Sequence, residues 1–420
     1  MLIKNPRFVL TPDGVLENKN IVIRDNLIES LGGSDKRGEV IDASNHAVLP
    51  GLVNMHTHAS MNLLRGVADD MDFWDAWPDI VWPLEEKLDG EKCYWGALHA
   101  MVEMIKTGTT CFNDMYFFMD RVAEAADEIG IRGYLGHGML DRGDGGSLEK
   151  EVNETERVVR VLKNDFSDRI KPTVAPHSPG TCSKELLLES KSISEKEDIP
   201  LHMHIVETER EVDEVTEERG EHPIEYLKSI GLLDDRFIGA HCVHLGRKHM
   251  KILAESRASV VHNPCSNMKL TSGVSPVTEM IEEGVNVTLG TDSVVSNNSL
   301  DVFEEAKFAS LLQKVHHSDP TTVPASGAMK LPWENSGRAL GEKMGAIKEG
   351  YLADLILVDL DDISMSPSHN LVSNLVYSKP SVDTSLVDGE IVLREGRLTK
   401  MDEEMIKDKA EEIAEELVSG

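Results

Sequence analysis

Between residues 48 and 293 one pattern recurs eight times: a short apolar, β-branched run followed by a stretch of helical periodicity. The strand-like runs end at His56-Thr57-His58 and then read TTCFNDM, RGYLGHGML, KPTVAPHS, IPLHMHIVE, RFIGAHCVHL, ASVVHNPCSN and VNVTLGTDS. Helical segments such as EKCYWGALHAMVEMIKTG, stopped at Gly108, and MDRVAEAADEIG separate them. Parallel strands need crossovers of this kind, so the alternation confines the chain to the α/β class. Eight units point to a closed (β/α)8 TIM barrel over residues 49–349, with an open doubly wound sheet as the alternative. No G-x-G-x-x-G or G-x-x-x-x-G-K-[ST] follows any of these strands, so a dinucleotide or P-loop site is unsupported.

The flanks read differently. Residues 1–48 hold short strands with a turn at Thr11-Pro12-Asp13-Gly14, and residues 350–400 hold GYLADLILVDL and SLVDGEIVLREGRLTK, with a hairpin signal at Asp388-Gly389. The two ends are expected to pair into one small β-sandwich domain, 1–48 with 350–400. In 401–420, Met405, Ile406, Ala410, Ile413 and Leu417 recur at helical spacing, which predicts a surface helix. Trp74, Trp77 and Trp82 are read as a Trp-rich loop.

Charge narrows the partners. With 74 Asp+Glu against 43 Lys+Arg, the formal net charge is −31, which argues against nucleic acid and anionic membranes. No apolar run approaches the roughly 20 residues of a membrane span. The opening MLIKNPRFVLTPDG lacks the apolar core of a signal peptide. Five scattered cysteines without C-x-x-C fit reduced thiols, so a cytoplasmic protein is expected.

Polar residues gather where the strands end: His56 and His58, His137, His177, His202 and His204 running into Glu207, His241 and His244, His262 with Asn263, and Asp292. In a barrel those ends form one rim, where active sites lie. Residues two apart on a strand share a side, so His56 and His58 can offer neighbouring nitrogens to one ion. Imidazole suits zinc and iron.

P-G-L-V-N-M-H-T-H (50–58), H-x-H-x-x-E (202–207), A-H-C-V-H (240–244), T-D-S (291–293) and A-D-L (353–355) resemble the amidohydrolase superfamily across the whole chain. W-P-L-E-E-K-L (82–88) and V-A-P-H-S (174–178) resemble its deaminases of 5'-methylthioadenosine, S-adenosylhomocysteine and 5'-deoxyadenosine. The resemblance implies that His56, His58, His204 and Asp292 hold one divalent metal, zinc by preference, with iron suited to the same ligands. It implies Glu207 as proton shuttle, His241 as hydrogen-bond partner of the metal-bound water, Glu85 at the ribose hydroxyls and His177 at the substrate. His202 and His244 receive no role from it and are read as supporting residues. Superfamily members that hydrolyse cyclic amides often bridge two ions with a carboxylated lysine at the end of strand four. Here Lys171 opens that strand and His177-Ser178 ends it, so one ion and deamination are expected.

Relatives that bind S-adenosylhomocysteine hold its carboxylate with arginines after strand three. Arg142 is the candidate here, while Arg157 reads as a helix-surface charge paired with Glu154 or Glu156. The implied activity is deamination of 5'-modified adenosines in salvage of S-adenosylmethionine by-products. A guanine or cytosine deaminase, a triazine hydrolase, or a non-catalytic dihydropyrimidinase-like scaffold are the alternatives. The analogy also suggests a homo-oligomer, a tetramer among the options.

The chemistry agrees. Purine C6 is a poor electrophile and neutral water a poor nucleophile. A metal can lower the pKa of its water from 15.7 to about 7, about 12 kcal/mol in proton affinity. Asp292 can take the water's proton, and a protonated purine N1 makes C6 electrophilic before ammonia leaves. Glu207 lies three residues after His204 and on an ideal strand would face away, so it is expected where strand gives way to loop.

Overall fold

The computed structural model describes residues 1–34, 38–72, 76–142 and 147–419. Eight parallel strands run through the middle of the chain: Leu52–Thr57, Thr109–Tyr116, Arg132–Met139, Ile170–Pro172 continued by Ala175–Pro176, Leu201–Ile205, Phe237–His241, Ser259–His262 and Asn286–Leu289. They form two arcs, strands one to four and strands five to eight. Val174 joins the arcs on one side, bridging to Leu201 and accepting from the His202 N–H at 2.8 Å. Strand four is split because it changes neighbour there and then returns to strand three.

On the other side strand eight meets strand one. Asn54 Nδ2 donates to Thr291 Oγ1 at 2.8 Å, and the Thr291 N–H donates back to Asn54 Oδ1 at 3.0 Å. Gly290 permits the approach, since a Cβ there would lie 2.7 Å from the His56 nitrogen. The barrel is closed.

Helices cover the strands by burying one stripe each. Met119–Ile129 buries Met119, Val122, Ala123, Ala126 and Ile129 and stops at Gly130, whose φ of 92° suits a C-terminal cap. Gly90–Lys106 starts on Asp89, whose side chain accepts from the Lys92 N–H, and ends before Gly108. Glu403–Ser419 packs on that helix through Ile406, Ala410, Ile413 and Leu417, while Met405 stays exposed. Among the described residues no helix is long and apolar enough to cross a membrane.

Strands from both ends of the chain build two further sheets. The seven-stranded sheet runs Arg397–Leu398, Glu390–Arg394, Val382–Val387, Leu355–Asp359, His46–Pro50, Phe8–Thr11, Gly14–Glu17. The four-stranded one runs Leu27–Leu31, Ile21–Arg24, Leu2–Lys4, Val40–Asp42. Ile3, Val9, Ile21, Ile28, Val48, Leu355 and Leu357 form one apolar cluster drawn from both sheets. Asp388 and Gly389 make the expected hairpin turn, both with positive φ.

Two local readings change. The apolar run into His56 is two strands: His46–Pro50 pairs with Leu355–Asp359, and Leu52–Thr57 opens the barrel. Gly51 is the crossing point, where a Cβ would meet Thr110 Oγ1 at 2.0 Å. Trp77 and Trp82 lie on helical turns, Trp77–Val81 and Trp82–Glu85, rather than in a loop. Pro78 and Pro83 sit in the first turn of each, where a missing N–H costs little. Trp74 lies outside the described residues.

Candidate metal centre and active site

Barrel closure brings four side chains together. His56 lies one residue before the end of strand one, His58 just after it, His204 on strand five, and Asp292 three residues beyond strand eight in a left-handed turn of φ 63°. One donor atom from each lies within 4.8 Å of the others. His56 Nε2 and His58 Nε2 are each 3.3 Å from Asp292 Oδ1, and His58 Nε2 is 3.2 Å from His204 Nε2.

The remaining atoms of these groups are fixed from outside. His58 Nδ1–H donates to the Met115 carbonyl at 2.7 Å, and His204 Nδ1–H to the His177 carbonyl at 3.0 Å. His56 Nδ1 shares a 3.0 Å hydrogen bond with His202 Nε2, and Asn113 Nδ2 lies 3.1 Å from His202 Nδ1. Asp292 Oδ2 accepts from Ser266 Oγ at 2.6 Å and Ser296 Oγ at 2.7 Å. Each imidazole thereby turns Nε2 inward, as metal-ligating histidines do when the other ring nitrogen is held. His56 Nε2 is buried with no hydrogen-bond partner among the described residues. Three imidazole nitrogens, the orphaned His56 Nε2 among them, and one carboxylate oxygen fit one divalent ion.

Electrostatics point the same way. Burial would raise the Asp292 carboxyl, but His56 and His58 hold it well below the usual carboxylate range. Burial drives His56 down to about 3 and His204 well below the ordinary imidazole value. At His58 burial acts downward too, yet Asp292 outweighs it and raises the imidazole to about 9. Proton and metal compete for that nitrogen.

Four further side chains surround the cluster. Glu207 Oε1 accepts from Ser272 Oγ at 3.0 Å, and Oε2 lies 3.7 Å from His241 Nε2. His241 Nδ1–H donates to Asn267 Oδ1 at 3.0 Å, and its ring stacks 5.5 Å from that of His204. The His177 ring lies 4.7 Å from the His204 ring; its Nδ1 is hydrogen-bonded to Thr181 Oγ1, and burial pushes it to about 4, so it is neutral. Glu85 accepts from Tyr116 OH at 2.5 Å, and burial raises its carboxyl.

Other residues singled out by sequence have different partners. Arg142 forms a two-point ion pair with Glu218 at 2.6 Å and donates to the Gly180 carbonyl at 3.2 Å. Arg157 pairs with Glu154 and also with Asp120. His137, though at a strand end, pairs with Glu151 on the following helix. His244 Nε2–H donates to the Ser272 carbonyl, steadying the loop that serves Glu207. His262 is buried, and neither ring nitrogen has a partner among the described residues.

Ser266, Asn267, Ser272, Ser296, Asn113 and Glu211 support the site and escaped the sequence reading. Only Glu211 carried a local signal, the Thr208-x-x-Glu211 pattern of a helix start.

Comparison with known proteins adds to this geometry. Residues 47–392 match the amidohydrolase family. A 5'-deoxyadenosine deaminase from Methanothermobacter thermautotrophicus is 45% identical over 410 residues, covering 96% of each chain. One from Methanocaldococcus jannaschii is 44% identical over 409 residues, covering 96% of this chain and 97% of the relative. Among solved structures, an adenosine deaminase from Xanthomonas campestris with bound zinc superposes with a TM-score of 0.94 at 30% identity, covering 100% of this chain and 98% of that one.

Proposed function

The chain belongs to the amidohydrolase family, and from that premise we propose that it is a metal-dependent hydrolytic deaminase of 5'-deoxyadenosine and related 5'-modified adenosines. The products are ammonia and the corresponding inosine analogue. The observation that carries this reading is the cluster of His56, His58, His204 and Asp292 with Glu207 and His241 beside it. Those four residues would hold the ion, with zinc favoured because the Xanthomonas relative binds it. When bound there, the metal lowers the pKa of water from 15.7 to about 7 and so supplies a nucleophile at neutral pH.

The protein's own residues do the rest. Asp292 takes the attacking water's proton, its carboxylate held in place by Ser266 and Ser296 on Oδ2. Glu207 delivers a proton to purine N1, which makes C6 electrophilic. Asp292 then passes the water's proton to the departing amine as the C–N bond breaks, and Glu207 takes back the C6 hydroxyl proton as the carbonyl forms, so ammonia leaves and both carboxyls are restored. Ser272 steadies one Glu207 oxygen and leaves the other free to move the proton. His241, held by Asn267, orients the water through Nε2. Neutral His177 contacts the purine. Glu85 accepts from the ribose hydroxyls, with Tyr116 fixing its carboxylate.

The 5' end is read as neutral. Arg142 and Arg157 are both engaged by carboxylates, which supports 5'-deoxyadenosine and 5'-methylthioadenosine over the charged tail of S-adenosylhomocysteine. The cysteines are all free, which supports a reducing, cytoplasmic setting. Ammonia release measured across adenosine, 5'-deoxyadenosine, 5'-methylthioadenosine, S-adenosylhomocysteine and guanine tests the assignment. The highest kcat/KM is expected for 5'-deoxyadenosine or 5'-methylthioadenosine. Guanine turnover with inert 5'-deoxyadenosine overturns it.

A further inference from the structure

Glu211 has no part in the proposed reaction, yet both of its carboxyl oxygens are taken up by backbone N–H groups, those of Glu207 and of Val206 before it. The residue opens the helix Glu209–Arg219, whose N-cap is Thr208. In an ordinary capping box a glutamate at this position bonds the N-cap's own N–H. Glu211 reaches further back: Oε2 accepts from the Glu207 N–H at 2.9 Å and Oε1 from the Val206 N–H at 3.2 Å.

Val206 needs holding. Its φ is +49°, a left-handed conformation that a β-branched side chain resists. Its carbonyl is pinned as well, accepting from the Val243 and His244 N–H groups at 3.0 Å each. The turn reverses strand alternation at one residue. Without it Glu207, three after His204, would point away from the rim. With it, Glu207 reaches Ser272 and His241.

We propose that Glu211 is a positioning residue for Glu207, holding the left-handed Val206 turn that aims the proton-carrying carboxylate at the substrate. This deepens the deaminase reading and rests on Glu207 being the shuttle. Keeping an acid there is unfavourable on its own terms: burial pushes Glu211 up to about 7, against the pull of the backbone N–H groups.

A double-mutant cycle on the zinc-loaded enzyme tests it, with 5'-deoxyadenosine as substrate. Glu211→Gln keeps one acceptor and sets an amide N–H against a backbone N–H. It should lower kcat by about 10- to 100-fold, a part of the 10²–10⁴ that a general acid supplies. KM should stay within about twofold and bound zinc should be unchanged, a split that a merely structural role would not produce. In a Glu207→Gln background, Glu211→Gln should cause no further loss, because it acts through Glu207. Hydrogen exchange at the Val206 and Glu207 amides should quicken in Glu211→Gln. Losses that multiply in the double variant, or wild-type kcat in Glu211→Gln while Glu207→Gln is inactive, overturn this proposal alone. Wild-type kcat in Glu207→Gln overturns the shuttle reading itself. Should Glu211→Gln not fold, Glu211→Asp, one methylene too short to reach both amides, carries the same comparison.

Discussion

The Asp292 N–H donates to the His56 carbonyl at 2.9 Å, and the side chains of the same two residues meet at 3.3 Å between Oδ1 and Nε2. Backbone closure of the barrel and assembly of the metal cluster are therefore one event. Strand eight cannot drift from strand one without separating two of the four donor groups.

Gly290 is where that coupling is most exposed to mutation. Its missing Cβ would fall 2.7 Å from the His56 nitrogen and 2.8 Å from the His56 Cβ. Gly290→Ala should destabilise the protein by about 1–3 kcal/mol, as overpacking does, and should lower zinc retention in parallel. Thermal melting and metal analysis of the same sample check both. An alanine variant with native melting and full zinc would separate closure from the site.

Glu85 should act on binding rather than on the metal. A carboxylate that accepts hydroxyl hydrogen bonds contributes about 1.5–3 kcal/mol, so Glu85→Ala should raise KM for nucleosides by about 10- to 100-fold with zinc unchanged. Tyr116→Phe removes the 2.5 Å hydrogen bond to Glu85 and should have a smaller effect in the same direction. An unchanged KM in Glu85→Ala would put the ribose elsewhere.

The base of strand three is tied to the flanking sheet by a buried ion pair. Arg132 Nε lies 2.8 Å from Asp354 and Nη2 lies 2.7 Å from Asp388, with Arg132 only 3% exposed. Arg132→Met would leave the buried Asp354 carboxylate without its cation, although the Asp388 N–H still donates to it at 2.7 Å. The expected loss is about 3–5 kcal/mol. The urea midpoint should fall accordingly, while kcat of the folded fraction stays near wild type. A midpoint shift below about 1 kcal/mol equivalent would show that the pair is dispensable.

Glu305 gives stability a pH slope. It is buried under the loop after strand eight, accepts from Cys265 N–H and Asn297 Nδ2, and is pushed up to about 8 by burial. An unfolded glutamate titrates near 4.3. The folded protein thus keeps a proton that the unfolded chain releases, and this contribution falls as pH rises from about 4.3 to about 8. Glu305→Gln should remove it, so the variant should gain on wild type in melting temperature between pH 5 and pH 8. Parallel pH profiles for the two proteins would contradict the shift.

Much of this architecture could be read from sequence because period and strand-end chemistry are local. Eight alternations announced the barrel and put a row of histidines and acids on one rim, while the choice of His56, His58, His204 and Asp292 among them came from the resemblance to the amidohydrolases. What stayed hidden depends on close approach between distant segments. Gly51 divides an apolar run that looks continuous, because Thr110 fills the space that a side chain would need. Val174 splits strand four by changing neighbours. His137 has the look of a rim residue, and only the fold reveals its pairing with Glu151. The aim of Glu207 was a puzzle of alternation, and one left-handed valine resolves it. The serines at 266, 272 and 296 carry no sequence signal, since their roles exist only after the loops meet.

The proposed metal centre has one ion shared by His56, His58, His204 and Asp292. Elemental analysis of metal per chain, after purification without chelator and again for Asp292→Ala, is the deciding measurement. The wild-type protein should carry about one equivalent of zinc or iron and the variant a small fraction of that. Two equivalents in the wild type, fewer than about 0.1, or an unchanged content in Asp292→Ala would contradict it.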